Sequence, residues 1–387
     1  MSSVIKAGAF RASEAVLRVE RTSLRVQQPA SSSDMVSLAM GEPDFATPPR
    51  IVQAAADALM NGFTHYAPLL GDKDLCQALA AEVSAQSGVP VKPGEVLVTH
   101  GGTAGLAAAI LSMVNPGDRV VIPDPTYSLY ADLVNMAGGT CIPMPCKQDL
   151  HWDLDLLDKS LDGAKLFVFC NPGNPTGIVH TREEIEALGQ LINRHNTLVI
   201  ADEAYSDLVF NGKPFTSVLQ VPAFSGRTLY CQTFSKSYAM TGWRVGYLSG
   251  PAEMIAAAAR VHNSVNGSVN TAVQRAAVVA LRECKDDVKR MYDVYRERRV
   301  LMMEGLAAIP ELRLNEPEGA FYCFPSYSLA IPAIDMVALL REKGIAVRPG
   351  SEFGAAGEGH LRLSYAASKE AITEGIHRLR RGLASLK

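Results

Sequence analysis

The sequence predicts an α/β protein with a large domain on a mainly parallel, doubly wound sheet and a smaller α+β domain. Short apolar runs alternate with helical patterns through the middle of the chain, and most runs are apolar throughout, as strands buried on both faces would be. The chain has 387 residues, enough for more than one core. Such alternation favours parallel strands with helices on both faces of one sheet.

The individual elements follow from the length and period of each pattern. The predicted strands of the large sheet lie at residues 96–99, 120–122, 166–170, 198–201, 229–233 and 245–248. Helical patterns in the same region include residues 105–114 and 182–195. Farther along, helices are predicted at 285–306, 334–343 and 369–386, with strand-like segments at 319–324 and 360–364. This later mixture indicates a separate, smaller α+β unit.

The chain is therefore divided into three parts. Residues 1–46 form an N-terminal arm that belongs in part to the small domain, and an amphipathic helix is predicted near 13–28. Residues 47–284 form the large domain, which would carry the binding site, and residues 285–387 form the small domain. In an open α/β sheet, ligands bind at the carboxyl ends of the strands, so the residues that follow each strand are the candidates for function.

The charge balance gives no reason to expect nucleic acid or a membrane surface as a partner. The 37 lysines and arginines oppose 40 aspartates and glutamates, which leaves a net charge of −3. No apolar run reaches the length of about 18 residues that a membrane span needs, and the first ten residues lack the apolar core of a secretory signal.

The cysteines and histidines indicate neither disulfides nor a metal site. Seven cysteines are scattered along the chain without a C-x-x-C pair, which is typical of a protein from a reducing compartment, so we expect the cytoplasm. The eight histidines show no spacing that suggests a metal site.

A glycine-rich turn follows the strand at 96–99. Gly101, Gly102 and Thr103 stand at the start of an apolar helical pattern. Two glycines at a helix start let the backbone approach an anion, and the helix dipole favours phosphate there. The same residues fit a plain tight turn equally well.

Polar residues also follow the next two buried strands. Asn174 lies in an Asn-Pro-Gly-Asn-Pro turn after the strand at 166–170, and this turn is either a plain connection or a way to present an amide to a ligand. Asp202 ends the strand at 198–201. A buried carboxylate at this position needs a partner. The partner would be a cationic ring nitrogen, or it would be backbone N–H groups if Asp202 is a helix N-cap.

The segment after the strand at 229–233 gathers basic and hydroxyl side chains. Thr233, Ser235, Lys236 and Arg244 lie within one short stretch. A lysine in a low-dielectric cleft among cations has a lowered pKa and becomes a nucleophile toward an aldehyde. The arginine can donate two parallel hydrogen bonds to phosphate oxygens. A lysine without this context would be an ordinary surface residue.

Taken in order, the segments around Gly101, Asn174, Asp202 and Lys236 resemble those of the class I/II aminotransferases, fold type I of the pyridoxal-phosphate family, in the aspartate-aminotransferase-like group. The resemblance extends from about residue 12 to the end of the chain. It implies the cofactor pyridoxal 5'-phosphate and a ping-pong transfer of an amino group from an L-amino acid to a 2-oxo acid. The large domain would bind the cofactor.

The resemblance assigns catalytic roles to three residues. Lys236 matches the lysine that holds the cofactor as a Schiff base and moves the substrate proton. Asp202 matches the partner of the pyridinium nitrogen, which tunes the cofactor as an electron sink. Tyr205 and Asn174 match the pair that hydrogen-bonds the phenolic oxygen. The other predicted cofactor contacts are Gly101, Gly102, Thr103, Thr233, Ser235 and Arg244 at the phosphate and Tyr127 stacked on the ring.

The resemblance also implies a substrate site and a partner subunit. Gly41 and Arg362 match the residues that bind the substrate carboxylate, with Asn174 beside them. Tyr66 matches a tyrosine that reaches the phosphate in the neighbouring subunit, which implies a homodimer with shared active sites.

Three positions depart from the pattern. Thr233 stands where the family prefers Gly or Ser, and it keeps the hydroxyl. Thr103 stands where relatives that act on dicarboxylates often have a lysine, so neutral or aromatic substrates stay open. Gly173 stands where C–S lyase-like relatives commonly have His, which favours transamination.

Two other functions are compatible with parts of this pattern. The first keeps pyridoxal phosphate but makes the protein a lyase or an oxidase that acts on an amino acid. The second is a non-catalytic regulator built on the same fold. The lack of a basic helix-turn-helix stretch before Gly41 and the full set of catalytic residue types count against the regulator.

Overall fold

The computed structural model describes residues 11–24, 34–210, 212 and 214–386. The helices of these residues are α1 (Glu14–Thr22), α2 (Pro49–Met60), α3 (Lys73–Ser87), α4 (Gly101–Met113), α5 (Leu129–Ala137), α6 (Leu154–Ser160), α7 (Arg182–His195), α8 (Ala252–Asn266), α9 (Thr271–Glu283), α10 (Lys285–Ala307), α11 (Ala333–Glu342) and α12 (Lys369–Ala384). Short 3₁₀ turns occur at Pro93–Glu95, Val218–Gln220, Pro222–Phe224, Gly350–Phe353 and Ala355–Gly357.

The strands divide into one large sheet and several small ones. They are β1 (Val36–Ser37), β2 (Val96–Thr99), β3 (Arg119–Asp124), β4 (Thr140–Pro145), β5 (Leu166–Cys170), β6 (Leu198–Asp202), β7 (Thr228–Thr233), β8 (Gly246–Ser249), β9 (Leu312–Arg313), β10 (Tyr322–Cys323), β11 (Ser326–Tyr327), β12 (Ile345–Ala346), β13 (Arg348–Pro349) and β14 (Leu361–Ser364).

The large sheet has seven strands in the order β2-β8-β7-β6-β5-β3-β4. All neighbouring pairs are parallel except those of β8, which runs antiparallel to both β2 and β7. This confirms the mainly parallel α/β fold that the sequence predicts.

The apolar runs form strands because both faces of the sheet are covered. Successive residues of β5 enter different cores: Val168 joins one apolar cluster with residues of α4, α5 and α8, whereas Phe167 and Phe169 join another with residues of α3, α7 and α9. A strand between two helical layers has no solvent face, so it is apolar at every position instead of alternating.

A second group of elements packs beside the large sheet. Strand β1 of the N-terminal arm pairs in parallel with β12, and β14 lies between β10 and β13 in an antiparallel sheet. Helices α10 and α12 pack together in this region. These pairings agree with the prediction that the N-terminal arm joins the C-terminal unit. The domain boundaries after residues 46 and 284 stay a prediction.

Some predicted boundaries differ from the structure. Helix α4 begins at Gly101 and not at residue 105, because the glycine turn itself supplies its first residues. Strand β4 at the sheet edge was not predicted, since it mixes proline and threonine with apolar residues. The helix predicted at 13–28 ends at Thr22 in α1, and residues 25–28 of that prediction lie outside the described residues.

Among the described residues, no helix combines the length and apolar character needed to cross a membrane.

Candidate active site

The carboxyl ends of the parallel strands bring the predicted site residues to one edge of the sheet. Strands β2, β5, β6 and β7 all end there. The reversed strand β8 begins at the same edge, because Gly246 pairs with both Thr99 and Thr233. This reversal explains how Arg244, just before β8, joins side chains that follow parallel strands.

A cavity of about 440 Å³ opens at this edge. Its lining includes twelve of the predicted site residues: Gly41, Gly102, Thr103, Tyr127, Asn174, Asp202, Tyr205, Thr233, Ser235, Lys236, Arg244 and Arg362. The chain positions of these residues span both the large sheet and the C-terminal strands. The structure therefore brings together residues that are more than 300 positions apart in sequence.

Asp202 is a buried carboxylate with two donors. Tyr130 donates its hydroxyl hydrogen to Asp202 Oδ2 at 2.7 Å, and the backbone N–H of Ala204 lies 3.2 Å from Oδ1. Burial raises the pKa of Asp202, while the hydrogen bond from Tyr130 and the nearby Lys236 charge act in the opposite direction. Such a carboxylate favours a cationic partner, because the positive charge offsets its loss of hydration.

Lys236 is partly buried and points its amine into the cavity. Its Nζ donates to the carbonyl of Gly41 at 2.7 Å and lies 5.6–5.8 Å from the ring centroids of Phe321 and Tyr205. Burial and the charge of Arg362 lower the pKa of Lys236 to about 8. The amine is therefore neutral in a larger fraction of molecules than an ordinary lysine, which makes it a nucleophile and a base.

Arg362 is held so that its guanidinium faces the cavity. It donates from Nη1 to Asn174 Oδ1 at 3.0 Å and from Nη2 to the carbonyl of Ala39 at 2.9 Å. Its guanidinium carbon lies 4.5 Å from the ring centroid of Tyr322 and 4.7 Å from that of Phe353. Its buried Nε has no hydrogen-bond partner among the described residues, so donor capacity is left for a ligand.

The start of α4 forms a small cup that only glycine permits. Gly101 has a positive φ of 72°, and a Cβ there would lie 2.8 Å from Arg244 Nη2. A Cβ on Gly246 would approach the backbone of Gly101 and Gly102 to 2.9–3.0 Å. The first N–H groups of a helix have no acceptor within the helix, so this cup suits an anion.

Two hydroxyls adjoin the cup. Thr233 donates to Ser235 Oγ at 2.9 Å, and both residues are buried. Arg244 donates from Nη1 to the carbonyl of Thr241 at 2.8 Å and keeps further N–H groups. The geometry thus combines hydroxyls, helix N–H groups and a guanidinium at one end of the cavity.

Aromatic side chains surround the middle of the cavity. The hydroxyls of Tyr205 and Tyr322 are 2.9 Å apart. Tyr127 packs edge-on against Tyr130, with ring centroids 5.6 Å apart. These rings give the cavity an apolar wall beside the polar groups of Asp202 and Lys236.

Two predicted site residues do not line the cavity. Gly101 lies directly behind it, where it gives Arg244 room. Tyr66 is 95% exposed and does not belong to the cavity of its own chain.

Sequence reasoning missed Tyr130, which supports the cavity through Asp202, and several residues that line the cavity. Tyr130 lies in α5, and nothing in its local pattern distinguishes it from a core tyrosine. Arg348 and Glu352 line the cavity as an ion pair, and Tyr322 lines it beside Arg362. A usable signal existed only for Arg348, since it lies in a strand-like segment that could pair with the strand of Arg362.

The sequence matches the family described as aminotransferase class I and II over residues 33–379. The chain belongs to this family. It is 33% identical to an aspartate aminotransferase of Pyrococcus horikoshii over 97% of each chain. It is 35% identical to a probable aspartate/prephenate aminotransferase of Aquifex aeolicus, over 92% of this chain and 93% of that protein.

Solved structures of the family share the fold. An aromatic aminotransferase from Pyrococcus horikoshii superimposes with a TM-score of 0.89 at 32% identity, covering 96% of this chain and 99% of the other. The chain is thus an enzyme that transfers amino groups with pyridoxal phosphate, on a fold-type-I scaffold.

The residues of the cavity fit this cofactor. A buried carboxylate whose ionised form is favoured by Tyr130 and by the Lys236 charge suits a pyridinium nitrogen. The glycine cup with adjoining hydroxyls suits a phosphate. A lysine with a pKa of about 8 suits an aldehyde carbon. The chemistry of the donor set therefore matches each polar part of pyridoxal phosphate.

Proposed function

We propose that Lys236 is the residue that would hold pyridoxal phosphate through its aldehyde carbon, with release of water, and that its amine is the base of the amino-transfer reaction. The proposal depends chiefly on one observation: an amine with a pKa of about 8 shares a cavity with a buried carboxylate and a glycine cup. Arg244, Thr233 and Ser235 would hold the phosphate. Bound pyridoxal phosphate supplies an electron sink for the pair left at Cα when a proton departs.

Asp202 would act at the ring nitrogen of the cofactor. Its carboxylate would pair with the ring nitrogen and keep it protonated, and Tyr130 holds that carboxylate in place. Asn174 and Tyr205 would donate to the phenolic oxygen. The Lys236 amine would take the Cα proton of the substrate and return a proton at a different carbon.

Arg362 would bind the substrate α-carboxylate. The rings of Tyr322 and Phe353 and the hydrogen bond to Asn174 fix the plane of the Arg362 guanidinium. A fixed plane is required for two parallel hydrogen bonds to a carboxylate. The N–H of Gly41 would add a donor beside it. A Cβ on Gly41 would lie 2.0 Å from Tyr322 Oη, so a side chain at residue 41 would obstruct this corner.

The amino donor is proposed to carry no negative charge on its side chain. Arg348 is the additional guanidinium of the cavity, and it donates to Glu352 Oε1. Glu352 is 5% exposed, and its Oε2 has no hydrogen-bond partner among the described residues. A distal carboxylate would have to displace Glu352 and lie close to its charge. Thr103 offers no compensating cation.

This preference differs from the names of several relatives. The Pyrococcus protein is called an aspartate aminotransferase and the Aquifex protein a probable aspartate/prephenate aminotransferase. A neutral or aromatic donor agrees better with the neutralised Arg348.

The active enzyme is proposed to be a homodimer with shared sites. Tyr66 is almost fully exposed, and a tyrosine on an open surface has no packing role within its own chain. Placed against a partner's cavity, its hydroxyl would reach the phosphate. A two-fold axis would apply the same contact to both sites.

The experiment that tests the reaction is a single turnover of the Lys236→Ala variant and of wild type. With an amino acid and no oxo acid, wild type should show one stoichiometric change in the visible cofactor spectrum and then stop, whereas a lyase would continue to release product. The variant should show no turnover. Lys369→Ala, which removes an exposed lysine paired with Glu297, is the matched control and should behave as wild type. Turnover retained in Lys236→Ala would disprove the assignment.

A further inference from the structure

A cluster of two histidines and a glutamate lies outside the active-site cavity. His151 Nδ1 is 2.9 Å from Glu184 Oε1, and His180 Nδ1 is 3.5 Å from Glu184 Oε2. One ligand atom from each residue lies within 4.8 Å of the other two. None of the three residues lines the cavity of Lys236.

His180 is buried, and its Nδ1 faces Glu184 Oε2 at 3.5 Å without forming a hydrogen bond of ordinary geometry. The residue is 6% exposed, and its Nδ1 has no hydrogen-bond partner among the described residues. The ring stacks on Trp152 with centroids 3.5 Å apart and an angle of 20°, so it is held with this nitrogen toward the cluster. A buried polar atom without a partner is costly, and a bound ion would satisfy it.

Glu184 can bind an ion and still cap its helix. Its Oε2 accepts the backbone N–H of Thr181 at 2.8 Å, and Thr181 Oγ1 accepts the N–H of Glu184 in return. This reciprocal pair is the capping box of α7. Its Oε1 faces His151 Nδ1 at 2.9 Å. A carboxylate has about four lone-pair positions, so Oε1 keeps a lone pair that can serve as a ligand.

We propose that His151, His180 and Glu184 bind a Zn²⁺ ion. Two imidazole nitrogens and one carboxylate oxygen are ligands that zinc accepts, and a water molecule completes a tetrahedral site. The side chains of His151 and Glu184 are 20% and 16% exposed, which leaves an entry path from solvent. Glu318, whose Oε2 is 4.0 Å from His151 Nε2, lies just outside the ligand set.

The two imidazoles have different electrostatic surroundings. Burial lowers the pKa of His180. The hydrogen bond that His151 donates to Glu184 raises the pKa of His151.

The ion would connect segments that are separate in sequence. His180 ends the loop that carries Asn174 into the active site, and its N–H donates to Asn171 Oδ1 at 3.0 Å. His151 follows β4, and Glu184 lies in the first turn of α7. Zinc therefore stabilises the base of this loop without touching the cofactor.

The test is a calorimetric titration of ZnCl₂ into the chelator-washed holoenzyme, with the melting temperature measured in parallel. Wild type should bind one Zn²⁺ per chain and melt at a higher temperature with it, and MgCl₂ should do neither. His151→Asn and Glu184→Gln should each weaken zinc binding by at least about tenfold. Gln at residue 184 keeps an oxygen that can cap α7, so this variant should remain folded. Circular dichroism checks that each variant is folded, and His151→Asn changes only a partly exposed residue.

His195→Ala is the matched control. His195 lies at the end of α7 and pairs with a carboxylate of α6, Asp158, at 2.6 Å. It is not part of the proposed ligand set, so its loss should leave zinc binding unchanged. Co²⁺ in place of zinc should give a tetrahedral spectrum without thiolate charge-transfer bands, which separates this site from the cysteines. No binding by wild type, or equal binding by His151→Asn and His195→Ala, would overturn the proposal.

Discussion

Tyr130 and Asp202 form a buried hydrogen bond of 2.7 Å between α5 and the end of β6. Both residues are less than one-tenth exposed. Burial alone would favour a protonated carboxyl, and the tyrosine hydroxyl acts against this by donating to the ionised form. Through this pair, helix α5 stabilises the Asp202 carboxylate that would face the cofactor ring.

Replacing Tyr130 by Phe should weaken cofactor binding. The variant removes one hydrogen bond to a charged group, which is worth about 1.5–3 kcal/mol, and raises the pKa of Asp202 further. We expect pyridoxal phosphate to bind roughly tenfold more weakly, measured by absorbance titration of the apoprotein. Tyr247→Phe, which alters a buried tyrosine outside this cavity, should keep wild-type affinity. Equal losses in the two variants would refute a specific role for Tyr130.

The lowered pKa of Lys236 should appear in the pH dependence of apoprotein stability. The folded pKa of about 8 lies below the ordinary value of 10.5, so below pH 8 the folded state carries a buried charge that costs up to about 3 kcal/mol. Between pH 8 and about 10.5 the folded state releases its proton first, and stability rises relative to a variant without the amine.

Lys236→Met provides the comparison for this measurement. In denaturant titrations of the two apoproteins, the difference in unfolding free energy should change between pH 8 and about 10.5, with wild type gaining relative to the variant. Subtracting the variant removes the effects of other titrating groups. A difference that stays constant across this range would mean that Lys236 titrates normally.

Gly101→Ala should distort the glycine cup at the start of α4. The new Cβ would lie 2.8 Å from Arg244 Nη2 at a φ of 72°, so the guanidinium must move. We expect affinity for pyridoxal phosphate to fall by more than about tenfold. Gly88→Ala is the control, since Gly88 has the same φ of 72° with nothing near its Cβ position. If both variants lose affinity for the cofactor equally, the loss results from backbone strain and not from the contact with Arg244.

Glu352→Gln should shift substrate preference toward dicarboxylates. The change removes the charge that neutralises Arg348 and keeps the size of the side chain. We expect kcat/KM for aspartate relative to phenylalanine to rise by about tenfold or more, in line with a charge-assisted contact of about 1.5 kcal/mol or more. Wild type should prefer the neutral donor. A wild type that already prefers aspartate would contradict the proposed substrate class.

Hybrid dimers test whether Tyr66 acts across an interface. Each hybrid would pair a Lys236→Ala chain with a Tyr66→Ala chain. If Tyr66 serves the partner's site, one site of the hybrid holds both an intact Lys236 and an intact Tyr66, and it should turn over as in wild type. If Tyr66 serves its own chain, the hybrid should be no better than the Tyr66→Ala enzyme. Light scattering would establish the dimer itself.

Much of the fold could be predicted because buried parallel strands have a simple signature. The run at 166–170 is apolar at every position, and the structure forms β5 over the same residues. Helix α7 occupies the residues at which a helical pattern predicted it, and the structure adds a capping box of Thr181 and Glu184 at its start. The edge strand β4 lacked such a signature, since it mixes proline and threonine with apolar residues and, among the described residues, pairs with a strand on one side only.

The sequence by itself determined the order of polar residues after each strand, and through it the family and the cofactor. These residues are local to strand ends, so their positions can be read along the chain. Only the tertiary structure placed Tyr130 on Asp202, Arg362 beside Asn174 and Tyr205 on Tyr322. Contacts of this kind depend on how helices and small strands pack against the sheet, and packing distances are not encoded in any local pattern.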